Sequence, residues 1–172
     1  MIVIYNFIII HKEKKRAFEE LKTKKMKLLW LDDIRDPLAV LDGGGSWLVF
    51  SPIQHTEVIW VKSYDSFVSW IKENGLPDGI CFDHDLGMEV ALAARATGMS
   101  KRKSRALKKE EKSGFDCAKW LVEYCLDNKL NLPPYNIQSA NPVGKANIDG
   151  LFKSFNIHCA RIRLNKISEM HL

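Results

Sequence analysis

Residues 78–87 read DGICFDHDLG, and within them Gly79-Ile80-Cys81-Phe82 has the apolar run of a short buried strand. The run ends in Asp83, His84 and Asp85, three ionisable side chains in succession. Carboxylates leaving an apolar strand are either solvated or paired, because an unpaired charge is costly to bury. A strand that closes in this way calls for something at its tip to meet those charges.

Working outward, KLLWL (27–31) is a second apolar run that leads directly into Asp32 and Asp33. EVIWVKS (57–63) reads as another strand. It is followed by YDSFVSWIKENG, where Phe67, Trp70 and Ile71 recur at helical spacing and Gly75 closes the helix. SGFDCAKWLVEYCLDN (113–128) repeats the helical pattern through Phe115, Ala118, Leu121, Val122 and Cys125. YNIQSA (135–140) is expected as a strand, NPVGKANIDGLFKSF (141–155) as a helix with Pro142 in its first turn, and HCARIRL (158–164) as a last strand. The stretch from Ile34 to Trp47 is expected as a loop, interrupted by Pro37 and by Gly43 to Gly45. Strands alternating with helices predict an α/β fold with a mostly parallel sheet. In such sheets ligands bind beyond the carboxyl ends of the strands. Asp32-Asp33, Asp83-His84-Asp85 and the stretch from Gln138 to Asn141 all fall there, so the three clusters are expected to meet in one crevice.

The residue types point to phosphate chemistry. Asp32, Asp33 and Asp83, with Asp85 near them, have the composition of an oxygen-ligand site for Mg²⁺, which takes one or two carboxylates and completes its shell with water and substrate phosphate. The plainer alternative is that these acids cap the turns that follow. His84 lies between two aspartates that would support a protonated ring, and it suits proton donation to the leaving oxygen of a phosphoester. Ser139, Asn141 and the N–H groups opening the next helix form either a phosphate cradle or an ordinary Asn-Pro turn and cap. Arg35 either clamps a phosphate or neutralises the acids. Lys101, Arg102, Lys103 and Arg105 are nucleotide or RNA contacts on a lid, or one solvated helix face. Trp30, Trp60, Trp70 and Trp120 fit packing positions, whereas Trp47 in the glycine-rich loop is a base-stacking candidate.

Four motifs in order, LWLDDIRDP (29–37), FDHDLG (82–87), SGFDCAKWL (113–121) and QSANPVGKANI (138–148), resemble the cyclic-phosphate processing receiver-like domain family, a relative of response-regulator receivers. The resemblance implies a flavodoxin-like fold with strand order 2-1-3-4-5 and helices on both faces. It also implies Mg²⁺ held by Asp32, Asp33 and Asp83, with Asp83 at the phosphoacceptor position and Ser139 at the strand-4 hydroxyl. Where the family has a histidine before that serine, this chain has Gln138, and the strand-5 lysine of signalling receivers has no clear counterpart. The function expected is a phosphoesterase-like domain that processes cyclic or terminal phosphates of a nucleotide or RNA, with Asp83, His84 and Asp85 at the chemistry. Two alternatives are a non-catalytic binder that sequesters such an end, and a receiver phosphorylated on Asp83.

Composition agrees with a globular domain of 172 residues, 46% hydrophobic and 27% charged, with a core that needs no staples. Cys81, Cys117, Cys125 and Cys159 form no zinc-like pattern and read as reduced packing residues, which suits a cytoplasmic setting without a membrane partner. MIVIYNFIII at the start is too short to span a bilayer and lacks the flanks of a secretion signal. Residues 1–27 hold eight Lys/Arg and three Asp/Glu, which accounts for the whole net charge of +5. A second basic piece lies within 88–112, set in an otherwise acidic body. Residues 1–25 are expected to be an appendage, an added strand and helix or sequence ahead of the native start, with the domain proper at 26–172 and a basic insertion at 88–112. A chain begun at Met26 is therefore expected to melt cooperatively at a temperature close to that of the full chain. Loss of the cooperative transition would place MIVIYNFIII within the fold.

Overall fold

The computed structural model describes residues 25–42 and 56–169. The expected appendage, apart from Lys25, lies outside these residues, as do Gly43 to Gly45 and Trp47. Four strands, β1 (Met26–Leu31), β2 (Thr56–Val61), β3 (Gly79–Phe82) and β4 (Tyr135–Ile137), form a parallel sheet in the order β2-β1-β3-β4. Parallel neighbours need long crossovers. These are supplied by α1 (Pro37–Asp42), α2 (Tyr64–Asn74), the pair α3 (Met88–Ala96) and α4 (Lys101–Glu110), and α5 (Gly114–Asp127), while α6 (Pro142–Glu169) follows the last strand. This is the α/β arrangement of a flavodoxin-like, receiver-type fold.

The register is the feature that matters for the site. Leu31 pairs with Val61 and with Phe82, and Phe82 with Ile137, so the strands end on one row. Backbone bonds carry the ladder one residue further, from Asp32 N–H to the Val61 carbonyl (3.1 Å), Asp83 N–H to Leu31 (2.8 Å) and Gln138 N–H to Phe82 (2.8 Å). Leu29, Leu31, Ile80, Phe82 and Ile137 turn to one face, where Phe67 and Ile71 of α2, Leu121 of α5, and Ile148 and Phe152 of α6 complete the core. Leu28, Trp30 and Cys81 form a second cluster on the other face, with Val58 and Trp60 against it. Burial raises the thiols of Cys81 and Cys125 to about 12 and about 11, and raises that of Cys117 further. The cysteines with raised thiols are therefore poor nucleophiles, in keeping with packing roles.

Two expectations are corrected. HCARIRL does not form a fifth strand but continues α6, and the described sheet stops at β4. Its strand-like alternation is short, and neither Gly nor Pro lies between Phe155 and His158 to stop the helix. Elongation adds a backbone bond for each residue fixed, and Ala160, Arg161, Arg163 and Leu164 are good helix formers. The cost is visible in Ile162 and Leu164, which lie 42% and 66% exposed. The stretch after Ile34 is not wholly loop either, because Pro37 occupies the first position of α1, where its missing N–H is no loss, and Asp36 Oδ1 accepts the Leu38 N–H at 2.8 Å.

The start of α5 explains the SGFD motif. Ser113 and Asp116 form a capping box, the Ser113 hydroxyl accepting the Asp116 N–H while the Asp116 carboxylate accepts the Ser113 N–H at 2.9 Å. Gly114 lies so close to the β3 tip that a Cβ there would fall 1.8 Å from the Asp83 carbonyl oxygen. Burial works against the charge of Asp116, yet hydrogen bonds from Lys119 and Ser113 prevail and lower its pKa from 3.8 to about 2. A lowered pKa contributes stability above the unfolded value and loses it as pH falls toward the folded one. Asp116→Ala is expected to lower stability by about 1 kcal/mol at neutral pH. The gap in melting temperature to the wild type should close between about pH 4 and pH 2. A gap that persists at pH 2 would show that the loss is packing and not the charged cap.

Candidate functional site

Because the strands end on one row, Asp32 and Asp33 after β1 and Asp83 after β3 emerge side by side. They are 0%, 2% and 6% exposed, and one oxygen from each lies within 4.8 Å of the others. Asp32 is fully engaged: Oδ1 accepts the N–H groups of Ile34 (3.1 Å) and Arg35 (2.8 Å), and Oδ2 accepts Arg35 Nε (2.5 Å) and Gln138 Nε2 (3.3 Å). Arg35 also reaches Asp83 Oδ1 through Nη2 at 3.0 Å and the Gln138 carbonyl through Nη1 at 2.7 Å. Asp32 and Asp83 are thus bridged by a guanidinium from the loop that follows β1.

Asp33 differs from its neighbours. Its Oδ2 accepts the Glu89 N–H in the first turn of α3 at 2.9 Å, while Oδ1 is buried without a hydrogen-bond partner. Gln138 Oε1, one residue beyond β4, is also buried and unpartnered. Buried acceptors without donors are rare and costly. Two of them beside three clustered carboxyl groups suit a hard divalent cation, so Asp32, Asp33 and Asp83 could bind a metal as in receiver domains.

β3 ends at Phe82, which frees His84 from strand alternation. Its ring lies over Gly144 of α6, where a Cβ would come within 2.2 Å of the imidazole. His84 Nδ1 is 3.1 Å from Asp85 Oδ1 and 3.5 Å from Asn141 Nδ2, and Asn141 Nδ2 also reaches Asp85 Oδ1 at 3.4 Å. An Nδ1–H donated to Asp85 leaves Nε2 as the nitrogen for proton exchange. Asn141 Oδ1 accepts the Gly144 N–H at 3.0 Å, and Ser139 Oγ accepts the Asn141 N–H at 3.2 Å. Both residues of the expected phosphate cradle therefore shape the start of α6 themselves, and Asn141 also joins His84 and Asp85.

The basic residues lie one helix further out. α3 opens at Asp33 from Gly87, whose φ of 84° is left-handed, and α4 packs back along α3. Lys101, Arg102 and Arg105 line a cleft of about 500 Å³ on α4, with Lys103 exposed on the same helix. Sequence reasoning missed the indoles: Trp60 Nε1 donates to the Asp32 carbonyl at 2.5 Å and Trp30 Nε1 to the Arg35 carbonyl at 3.2 Å. Two tryptophans read as packing residues thus clamp both ends of the acidic loop. Only their position beside Asp32 along and across the strands hinted at it.

The family model for the cyclic-phosphate processing Receiver domain matches residues 27–154. The chain belongs to that family. The matched span of this receiver domain contains the four strands except Met26, the first residue of β1, together with the acids, His84 and the start of α6. No curated protein and no solved structure gives a significant match to the chain. None of the described helices is long and apolar enough to cross a membrane.

The unpartnered Asp33 oxygen makes this acid the most informative to neutralise. Asp33→Asn removes a buried charge, and without metal it is expected to raise stability by about 1–3 kcal/mol. Mg²⁺ should raise the melting temperature of the wild type and leave the variant unmoved. A variant that melts below the wild type in chelator would mean that Asp33 serves the fold and not a cation.

Proposed function

We propose that this receiver domain hydrolyses cyclic or terminal phosphates of a nucleotide or RNA with Mg²⁺ at Asp32, Asp33 and Asp83. The observation that carries the proposal is the junction, at Asp83 and His84 beyond β3, of a buried acid cluster whose open oxygen lies on Asp33 beyond β1 with a histidine held by Asp85. The cation would offset the charge of the acids and polarise the phosphoryl oxygen. Arg35 has five N–H donors, of which Asp32, Asp83 and Gln138 engage three. One N–H on each terminal nitrogen is left unengaged, and the side chain, 37% exposed, can turn outward to a phosphate. In hydrolysis of a cyclic phosphate, water adds its oxygen to phosphorus and loses a proton to solvent water, and one ring P–O bond breaks. The departing ribose oxygen takes a proton from His84, whose ring is oriented by Asp85, itself an acceptor of the Asn141 Nδ2–H. Ser139 and Asn141 shape the helix N-terminus that favours the anion. Lys101, Arg102, Lys103 and Arg105 supply salt-dependent affinity for the rest of a polyanion.

The test is incubation of the protein with RNA ending in a 2′,3′-cyclic phosphate and with a panel of cyclic nucleotides, with and without Mg²⁺. Mg²⁺-dependent opening to a monoester is expected, with His84→Ala slowing it by about 10²-fold or more. Neutralising the four α4 cations should weaken RNA binding and flatten its salt dependence while sparing turnover of a mononucleotide. Binding without turnover under every condition would favour sequestration, and a stable phosphoryl group on Asp83 would favour a signalling role.

A further inference from the structure

We infer that Arg35 and a divalent cation are alternative partners of Asp32 and Asp83, so that loading the site with metal releases the guanidinium to take a phosphate. The inference rests on the proposed metal and phosphate site and concerns the order in which that site fills.

The argument begins with the lone pairs of Asp32. A carboxylate offers about four acceptor positions. The Ile34 and Arg35 N–H groups take those on Oδ1, and Arg35 Nε and Gln138 Nε2 take those on Oδ2. Asp32 therefore has nothing to give a metal until one of these donors withdraws. The two backbone donors belong to a loop whose carbonyls are clamped by Trp60 and Trp30, so they are fixed. The Arg35 side chain is the freer partner, being 37% exposed on the rim of the cluster, and it also covers Asp83 Oδ1. The open oxygen, Asp33 Oδ1, lies on the one acid of the three for which no bond to Arg35 is present.

A cation would thus enter at Asp33 and gain Asp32 and Asp83 as Arg35 lets go. A guanidinium turned outward then has the fork that matches two phosphate oxygens. Metal enters first and phosphate second, and phosphate binding without metal is opposed because Arg35 is already committed to the acids. By linkage, whatever Arg35 costs the metal is returned when Arg35 is removed.

The test uses the full chain and calorimetric titration, first with Mn²⁺ alone and then with inorganic phosphate on the Mn²⁺-loaded protein. Wild type is compared with Arg35→Gln and with Lys62→Gln. Lys62 pairs with Glu89 at 2.9 Å beside the start of α3, so its loss removes a nearby positive charge without touching Asp32 or Asp83. Arg35→Gln is expected to bind Mn²⁺ at least about tenfold more tightly and phosphate at least about tenfold more weakly. Lys62→Gln is expected to stay within about threefold of the wild type for Mn²⁺, as an exposed charge screened by solvent. If Arg35→Gln does not fold, Arg35→Lys, which keeps the charge but loses the fork, should give the same two directions.

Equal or weaker Mn²⁺ binding by the variant would show that metal and guanidinium share the acids, and would overturn the inference. So would an unchanged affinity for phosphate, or equal tightening in Lys62→Gln. Neither titration involves turnover, so a protein that binds in this order but cleaves nothing would sink the phosphoesterase reading and leave this one standing.

Discussion

The site depends on a register. Parallel strands lie about 4.8 Å apart. Ending β1, β3 and β4 on the row of Leu31, Phe82 and Ile137 delivers Asp32, Asp83 and Gln138 as immediate neighbours. A slip of one residue in either pairing would turn Phe82 or Ile137 away from the core and carry its polar successor out of the cluster. The apolar pattern that secures the core therefore also secures the spacing of the acids.

The same economy appears in what surrounds the row. Gly114 lets α5 approach the Asp83 carbonyl, Gly144 lets α6 approach the His84 ring, and both helices begin on caps that lie in the family's motifs. Those motifs therefore carry close approach and capping. The loop after β1 is built similarly, with Trp60 and Trp30 holding its carbonyls and Arg35 returning its side chain to the acid three residues before it. A guanidinium can bridge Asp32, Asp83 and the Gln138 carbonyl because its donors form a planar fork, which a lysine lacks. The lysine that signalling receivers carry on a fifth strand has no clear counterpart here, and the cation that pairs with Asp83 comes from the loop after the first strand.

Where the sequence misled, the reason was competition between local preferences. HCARIRL alternates like an edge strand, but nothing interrupts the helix that enters it, and continuation of α6 leaves Ile162 and Leu164 exposed. The acids of Asp32, Asp33 and Asp83 were legible as a cluster because each follows an apolar run. Their electrostatics were not legible, since Arg35 could equally have faced solvent. Ser139 and Asn141 were recognised as helix-start residues, while the second engagement of Asn141, with His84 and Asp85, depends on α6 meeting the β3 tip.

The sequence by itself determined the alternation of the four strands with helices, the parallel sheet and the strand ends at which polar residues gather, because apolar period and turn residues are local properties of a chain. It also carried the family, through four short motifs in order. Only the tertiary structure decided that Asp33 keeps an open oxygen while Asp32 has none, that Arg35 faces inward, and that His84 rests on Gly144. Each of these depends on distances between residues far apart in the chain, and such distances are set by how strands pair and helices pack.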